Sequence, residues 1–191
     1  MYPTRQEAEK LVIEAGKCNP GPWEEHSRNV AHCAERIAAA CRDMDADKAY
    51  VVGLLHDIGR KFGVKHLGHV YDGWQYMLEL GYDEAARICL THSFNEGKIE
   101  GYIGNFDITE KQTEEIRRAL TGTEFDDYDR LIQLCDSMAA AEGVVNMEDR
   151  MNDEKRRYGA YPQSKWDKNM ELKKYFEQKA GKDIYEIVRA V

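Results

Sequence analysis

"GLLHDIGRK", residues 53–61, decides how this chain is read. The run from Ala49 to Leu55 is almost wholly apolar, so the helix it predicts has no face to offer water and must lie centrally. His56 and Asp57 end that run. Gly59 follows and lets the backbone turn close beside them. Arg60, Lys61 and Lys65 come next, and no acid occurs between Asp57 and Asp72, so Arg60 is expected to lack a local carboxylate partner. A buried approach to a histidine–aspartate pair, followed by positive charge, suits a rigid polar centre that meets an anion; Arg60 is the better fork for phosphate oxygens.

Two other segments point at the same interior. A helix predicted from about residue 24 to 42 carries the apolar stripe Val30, Cys33, Ala34, Ile37, Ala38 and Cys41, and His26 extends it. A second, predicted from 129 to 142, places Asp136 directly after Leu134 and Cys135. A carboxylate there is costly unless it is paired or bound to a cation. His26, His56 with Asp57, and Asp136 therefore form a mixed nitrogen and oxygen set suited to a divalent metal. All six histidines, at 26, 32, 56, 66, 69 and 92, precede residue 93. His32 lies off the stripe and is expected in solvent. His66, three residues before His69, fits a cap, a surface position or a phosphate contact.

Thr4 with Glu7 and Thr109 with Gln112 are capping boxes that open helices. Helices are also predicted over 67–80, ended by Gly81, over 83–92, from Ser164 to Gly181, and in the last residues. Residues 93–108 hold three glycines and read as a loop; 143–163 are polar and read as a mobile connection. No strand alternation appears. The fold class is all-α, a compact multi-helix bundle in a single domain over 1–191.

Across 191 residues, 42% are hydrophobic and 32% charged, the balance of a globular protein. A net charge of −8 argues against a partner such as extended nucleic acid or an anionic membrane. No apolar run is long enough to span a bilayer. "MYPTRQEAEK" lacks a signal-peptide pattern, so the cytoplasm is the expected location. Five cysteines without a CxxC read as thiols in a reducing compartment.

"HSRNVAHCAERIA" (26–38), "GLLHDIGR" (53–60) and "RLIQLCDSMA" (130–139) together resemble the signature blocks of the HD-domain metal-dependent phosphohydrolase superfamily. The resemblance implies an HD core over about 20–142 with a C-terminal helical extension over 143–191. It implies His26, His56, Asp57 and Asp136 as metal ligands. "HVYDGWQYM" (69–77) and "ICLTH" (88–92) are similar to segments of the small bacterial members with extra histidines, such as the symmetrical diadenosine tetraphosphate hydrolases. That likeness implies His69 and His92 as ligands to a second ion, with Asp57 bridging. It also implies one or two divalent ions (iron, manganese, magnesium, cobalt or nickel) and a metal-activated water that hydrolyses a nucleotide or other small phosphate ester. Asp57 and Arg60 are then the catalytic candidates, and Arg60, Lys61, Lys65 and His66 the substrate-binding ones. The chain departs from the tetraphosphate hydrolases at His92-Ser-Phe-Asn, where they read His-Thr-Thr-Gly. A di-iron oxygenase on the same scaffold and a non-catalytic, metal-stabilised nucleotide sensor stay open as alternatives, as do a monomer and a homodimer.

Overall fold

Local sequence signals set most helix boundaries in the computed structural model, which describes residues 1–189. Helix α1 (Arg5–Cys18) starts where the Thr4 hydroxyl accepts the Glu7 amide and the Glu7 carboxylate accepts the Thr4 amide. Helix α2 (Trp23–Ala40) follows Pro20 and Pro22. Asp45 caps α3 (Ala46–Leu55) by accepting two amides of its first turn. A 3-10 turn (Ile58–Phe62) leads to α4 (Leu67–Glu79) and α5 (Asp83–Thr91), separated by Gly81 in the left-handed region. The 93–108 segment is irregular apart from a short 3-10 turn at Ile99–Gly101. The Thr109 capping box opens α6 (Glu110–Thr121), and Asp126 caps α7 (Asp127–Met138).

Three features differ from the sequence reading. Helix α7 stops at Met138, and Ala139–Ala140 pairs antiparallel with Gly143–Val144 in a minimal hairpin. The polar stretch read as a mobile connection contains α8 (Met147–Tyr158). Its order comes from ends rather than a stripe: Asn146 caps it, Glu148 and Asp149 sit in the first turn, Lys155, Arg156 and Arg157 in the last, and Gly159 takes the left-handed C-terminal position. Helix α9 (Gln163–Ala180) then runs to Gly181, and α10 (Ile184–Arg189) follows. The class is all-α, with ten α-helices among the described residues.

Helix α3 is the hub. Every residue from Ala49 to Leu55 is buried, and α1, α2, α5 and α7 pack around it. Gly53 lets α2 approach, because a Cβ there would lie 3.1 Å from the Ala31 Cα. One apolar cluster joins α2, α3 and α7 to α9 and α10 through Val30, Ile37, Val52, Leu131, Leu172, Phe176 and Ile184. A second joins α1, α3, α4 and α5, and a third seats α6 on α4 and α5. Burying a leucine- or phenylalanine-sized side chain stabilises by about 1.5–3 kcal/mol, so these clusters fix where α3 ends. Cys33, Cys41, Cys89 and Cys135 are buried free thiols, and Cys18 is exposed. No helix among the described residues is long and apolar enough to cross a membrane.

Candidate metal centre

The C-terminal end of α3 delivers Asp57 to the floor of a cavity of about 680 Å³ and holds His56 buried beside it. Helix α2 brings His26, α4 brings His69, the end of α5 brings His92, and α7 brings Asp136. Asp57 sits in the middle of two donor groups: His26, His56 and Asp57 in one, Asp57, His69 and His92 in the other. The Asp57 Oδ1 atom lies 3.1 Å from His69 Nε2 and 3.6 Å from His92 Nε2. Asp136 Oδ1 lies 3.0 Å from His26 Nε2 and 3.9 Å from His56 Nε2.

Backbone carbonyls set the histidine tautomers. His56 Nδ1 donates to the Gly53 carbonyl at 2.7 Å, His92 Nδ1 to the Cys89 carbonyl at 2.9 Å, and His69 Nδ1 to the His66 carbonyl. A carbonyl only accepts, so each Nδ1 carries the proton and each Nε2 presents a lone pair to the interior. The Nε2 atoms of His69 and His92 then face each other at 3.3 Å, beside a carboxylate oxygen. His56 Nε2 is buried with no hydrogen-bond partner among the described residues. Converging lone pairs with no donor between them are what a cation satisfies, so the donor set fits a divalent metal.

Electrostatics agree with that fit. Burial pushes the His92 imidazole down to about 3, with repulsion from His56 adding to it. Burial also lowers His56, against the pull of Asp57 and Asp136. Both rings are thus neutral at ordinary pH, the form in which imidazole can hold a metal. Burial opposes the ionisation of Asp57, but Arg60, then His69 and His56, overcome it and hold that carboxyl well below the usual range. Asp136 is likewise held low, against burial, by His26, His56 and Arg150.

The sequence reading left Arg60 without a carboxylate. The structure corrects this: Arg60 Nε donates to Asp57 Oδ2 at 2.5 Å, because positions i and i+3 eclipse in the 3-10 turn. Gly59 also serves differently from the expected turn, since its φ is not positive. A Cβ there would lie 2.0 Å from the His69 carbonyl oxygen and 2.5 Å from the Gly73 amide nitrogen. The Gly59–Gly73 contact thus sets the spacing between Asp57 and His69.

The family model for the HD domain matches residues 23–141, more than half of the chain. The chain belongs to the HD domain family. No curated protein and no solved structure matches it. HD-domain proteins are typically metal-dependent phosphohydrolases.

Not every candidate of this HD-domain chain reaches the cavity. Arg60 lines it; Lys61, Lys65 and His66 do not. Lys61 Nζ donates to the Tyr76 hydroxyl at 2.9 Å, and Lys65 pairs with Asp72, so α4 claims both. The His66 amide donates to Asp107 at 2.7 Å, and its carbonyl fixes His69. His32 is exposed beside Glu35.

The roof is what sequence reasoning missed. Helix α8 contributes Arg150 and Glu154, the following segment Tyr161, and α9 Lys165. Lys165 Nζ donates to the carbonyls of Ser93 (2.7 Å) and Gly101 (3.2 Å), tying down the loop that follows His92. Burial lowers the Lys165 ammonium pKa and raises that of the Glu154 carboxyl. The i,i+4 spacing of Arg150 and Glu154 after a good Asn146 cap was the available signal.

Proposed function

We propose that the chain is a metal-dependent phosphohydrolase acting on a nucleotide or another small phosphate ester. The observation that carries this reading is the pair of donor triads sharing Asp57 beneath a cavity whose walls include Arg60, Arg150 and Lys165. The cavity volume of about 680 Å³ suits a ligand of nucleotide size.

The chain's residues divide the work. His26, His56, Asp57 and Asp136 would hold one ion. Asp57, His69 and His92 would hold another, a reading supported by the likeness of His69 and His92 to the extra histidines of the diadenosine tetraphosphate hydrolases. Four imidazoles to two carboxylates favours iron, manganese, cobalt or nickel over magnesium. When bound, such ions lower the pKa of a water and neutralise phosphoryl oxygens. Arg60 orients Asp57 through Nε and retains further N–H groups for phosphate oxygens. The carbonyl-fixed rings keep the donor atoms in place without side-chain reorganisation.

The test is a screen of phosphate release from nucleotides and generic esters. The protein is stripped with chelator and reloaded separately with manganese, iron, cobalt and magnesium. Saturable, metal-dependent release that disappears in Asp57→Asn supports the reading. Oxygen consumption with the iron-loaded protein, and no phosphate release under any metal, would replace it with the di-iron oxygenase that the same donor set can build.

A further inference from the structure

The geometry points to Arg150 as the residue that binds the phosphate oxygens of the substrate; this deepens the phosphohydrolase reading and rests on it. Arg150 lies on α8, beyond the segment that matches the family. It differs from the other half-buried arginines. Arg28 reaches Glu9 at 2.6 Å, Arg5 reaches Glu35 at 2.6 Å, and Arg60 reaches Asp57 at 2.5 Å. Arg150 stands beside two carboxylates and closes on neither. A terminal guanidinium nitrogen is 3.7 Å from Asp136 Oδ1, and Nε is 3.7 Å from Glu154 Oε1. Both separations exceed a hydrogen bond. Nε is buried and has no hydrogen-bond partner among the described residues.

A buried guanidinium N–H with no acceptor is costly, and the terminal nitrogens stay open towards the adjoining cavity, where an anion can complete the bonding of the group. The position is right for the phosphoryl group. Arg150 faces Asp136, which shares the floor with His26 and lies 3.9 Å from the buried His56, and Arg60 lies at Asp57 on the same floor. Two guanidinium groups therefore stand one at each carboxylate of the donor cluster. A planar fork meets two oxygens of a tetrahedral phosphate at once. The helix holds this residue in place by burying Met147 and Met151. Arg156, exposed and paired with Asp153 at 3.2 Å, lies outside the cavity and serves as the control.

The experiment compares wild type, Arg150→Gln, Arg150→Lys and Arg156→Gln. Each is melted by circular dichroism, its metal content measured, and its affinity for inorganic phosphate titrated by calorimetry on metal-loaded protein. KM and kcat are measured with whichever ester the wild type hydrolyses. The expected result is a loss of about tenfold or more in phosphate affinity, and a similar rise in KM, for Arg150→Gln at unchanged metal content, from the usual worth of a charge-assisted hydrogen bond. Arg150→Lys recovers part of it, and Arg156→Gln matches wild type. Unchanged phosphate affinity in folded, metal-loaded Arg150→Gln overturns the proposal. So does a loss that tracks lost metal, since Arg150 would then only orient Asp136. Calorimetry needs no turnover: Arg150-dependent phosphate binding by a protein that hydrolyses no ester keeps this proposal and defeats the hydrolase reading. Turnover with unaltered phosphate affinity does the reverse.

Discussion

Replacing Gly59 by alanine tests how the donor cluster is spaced. The added Cβ would start 2.0 Å from the His69 carbonyl oxygen, 2.5 Å from the Gly73 nitrogen and 2.9 Å from the Gly73 Cα. All three are backbone atoms, so no rotamer change relieves the clash. Ordinary contact begins at 3.4 Å, so the 3-10 turn and α4 must part by about 1.4 Å. Overpacking typically costs 1–3 kcal/mol, and a backbone clash belongs at the upper end, about 3 kcal/mol. For a chain of this size that lowers Tm by roughly 6–12 °C. The same displacement separates His69 from Asp57, whereas metal–ligand distances tolerate only about 0.2 Å. The variant should therefore fold, melt earlier and hold about one metal where the wild type holds about two, on the dinuclear reading. Differential scanning calorimetry and elemental analysis on the same anaerobic preparation check both. An unchanged Tm together with full metal content would refute the claim that the Gly59–Gly73 contact sets the geometry.

Three further outcomes are expected. Asp57→Asn should reduce bound metal to near zero and abolish phosphate release, because both triads lose their shared anion; retention of one tightly held ion would show that Asp57 is not common to both. Burial lifts the Asp129 carboxyl to about 6, despite Thr91 and Arg87, so the folded protein keeps a proton that the unfolded chain has already lost. Stability from this group accordingly declines as pH rises from about 3.8 to about 6 and is level above. Asp129→Asn should gain on wild type across that window in urea titrations at stepped pH, with the Thr91 hydroxyl turning to accept; parallel curves would contradict it. Lys165→Met leaves the Ser93 and Gly101 carbonyls without their donor, which should cost about 1–3 kcal/mol and expose the 93–101 loop to protease. Equal cleavage rates would show that other contacts hold the loop.

What the sequence reveals about this fold is what local chemistry decides. The apolar run of α3, the stripe of α2 and the two threonine capping boxes act within a few residues, and each is visible as a pattern. The convergence of His26, His56, Asp57 and Asp136 also follows, since each lies on or ends an apolar helix. The sharing of Asp57 follows from no local pattern and was implied only by the likeness to the tetraphosphate hydrolases, because it depends on two glycines fourteen positions apart meeting across a helix boundary. The Arg60–Asp57 pair was missed by looking for acids downstream, when the partner stood three residues upstream in a 3-10 turn. Lys61 and Lys65 looked free because Tyr76 and Asp72 come alongside only once α4 folds back. Helix α8 escaped because it buries only Met147 and Met151, too few apolar positions to show a period.

That sparse burial bears on how the protein can change. The floor of the cavity is built into the tightest part of the molecule, where nearly any substitution disturbs packing or a ligand. The roof is a helix whose attachment depends on two methionines and its end caps, with most other positions facing solvent or the cavity. Substitutions along it, at positions other than Met147, Arg150 and Met151, can therefore alter what enters while leaving the floor beneath intact and costing little stability. Selection for a new substrate has a place to act that is mechanically separate from the donor cluster, and a library confined to Asp153, Glu154, Arg157, Tyr158 and Tyr161 would explore it.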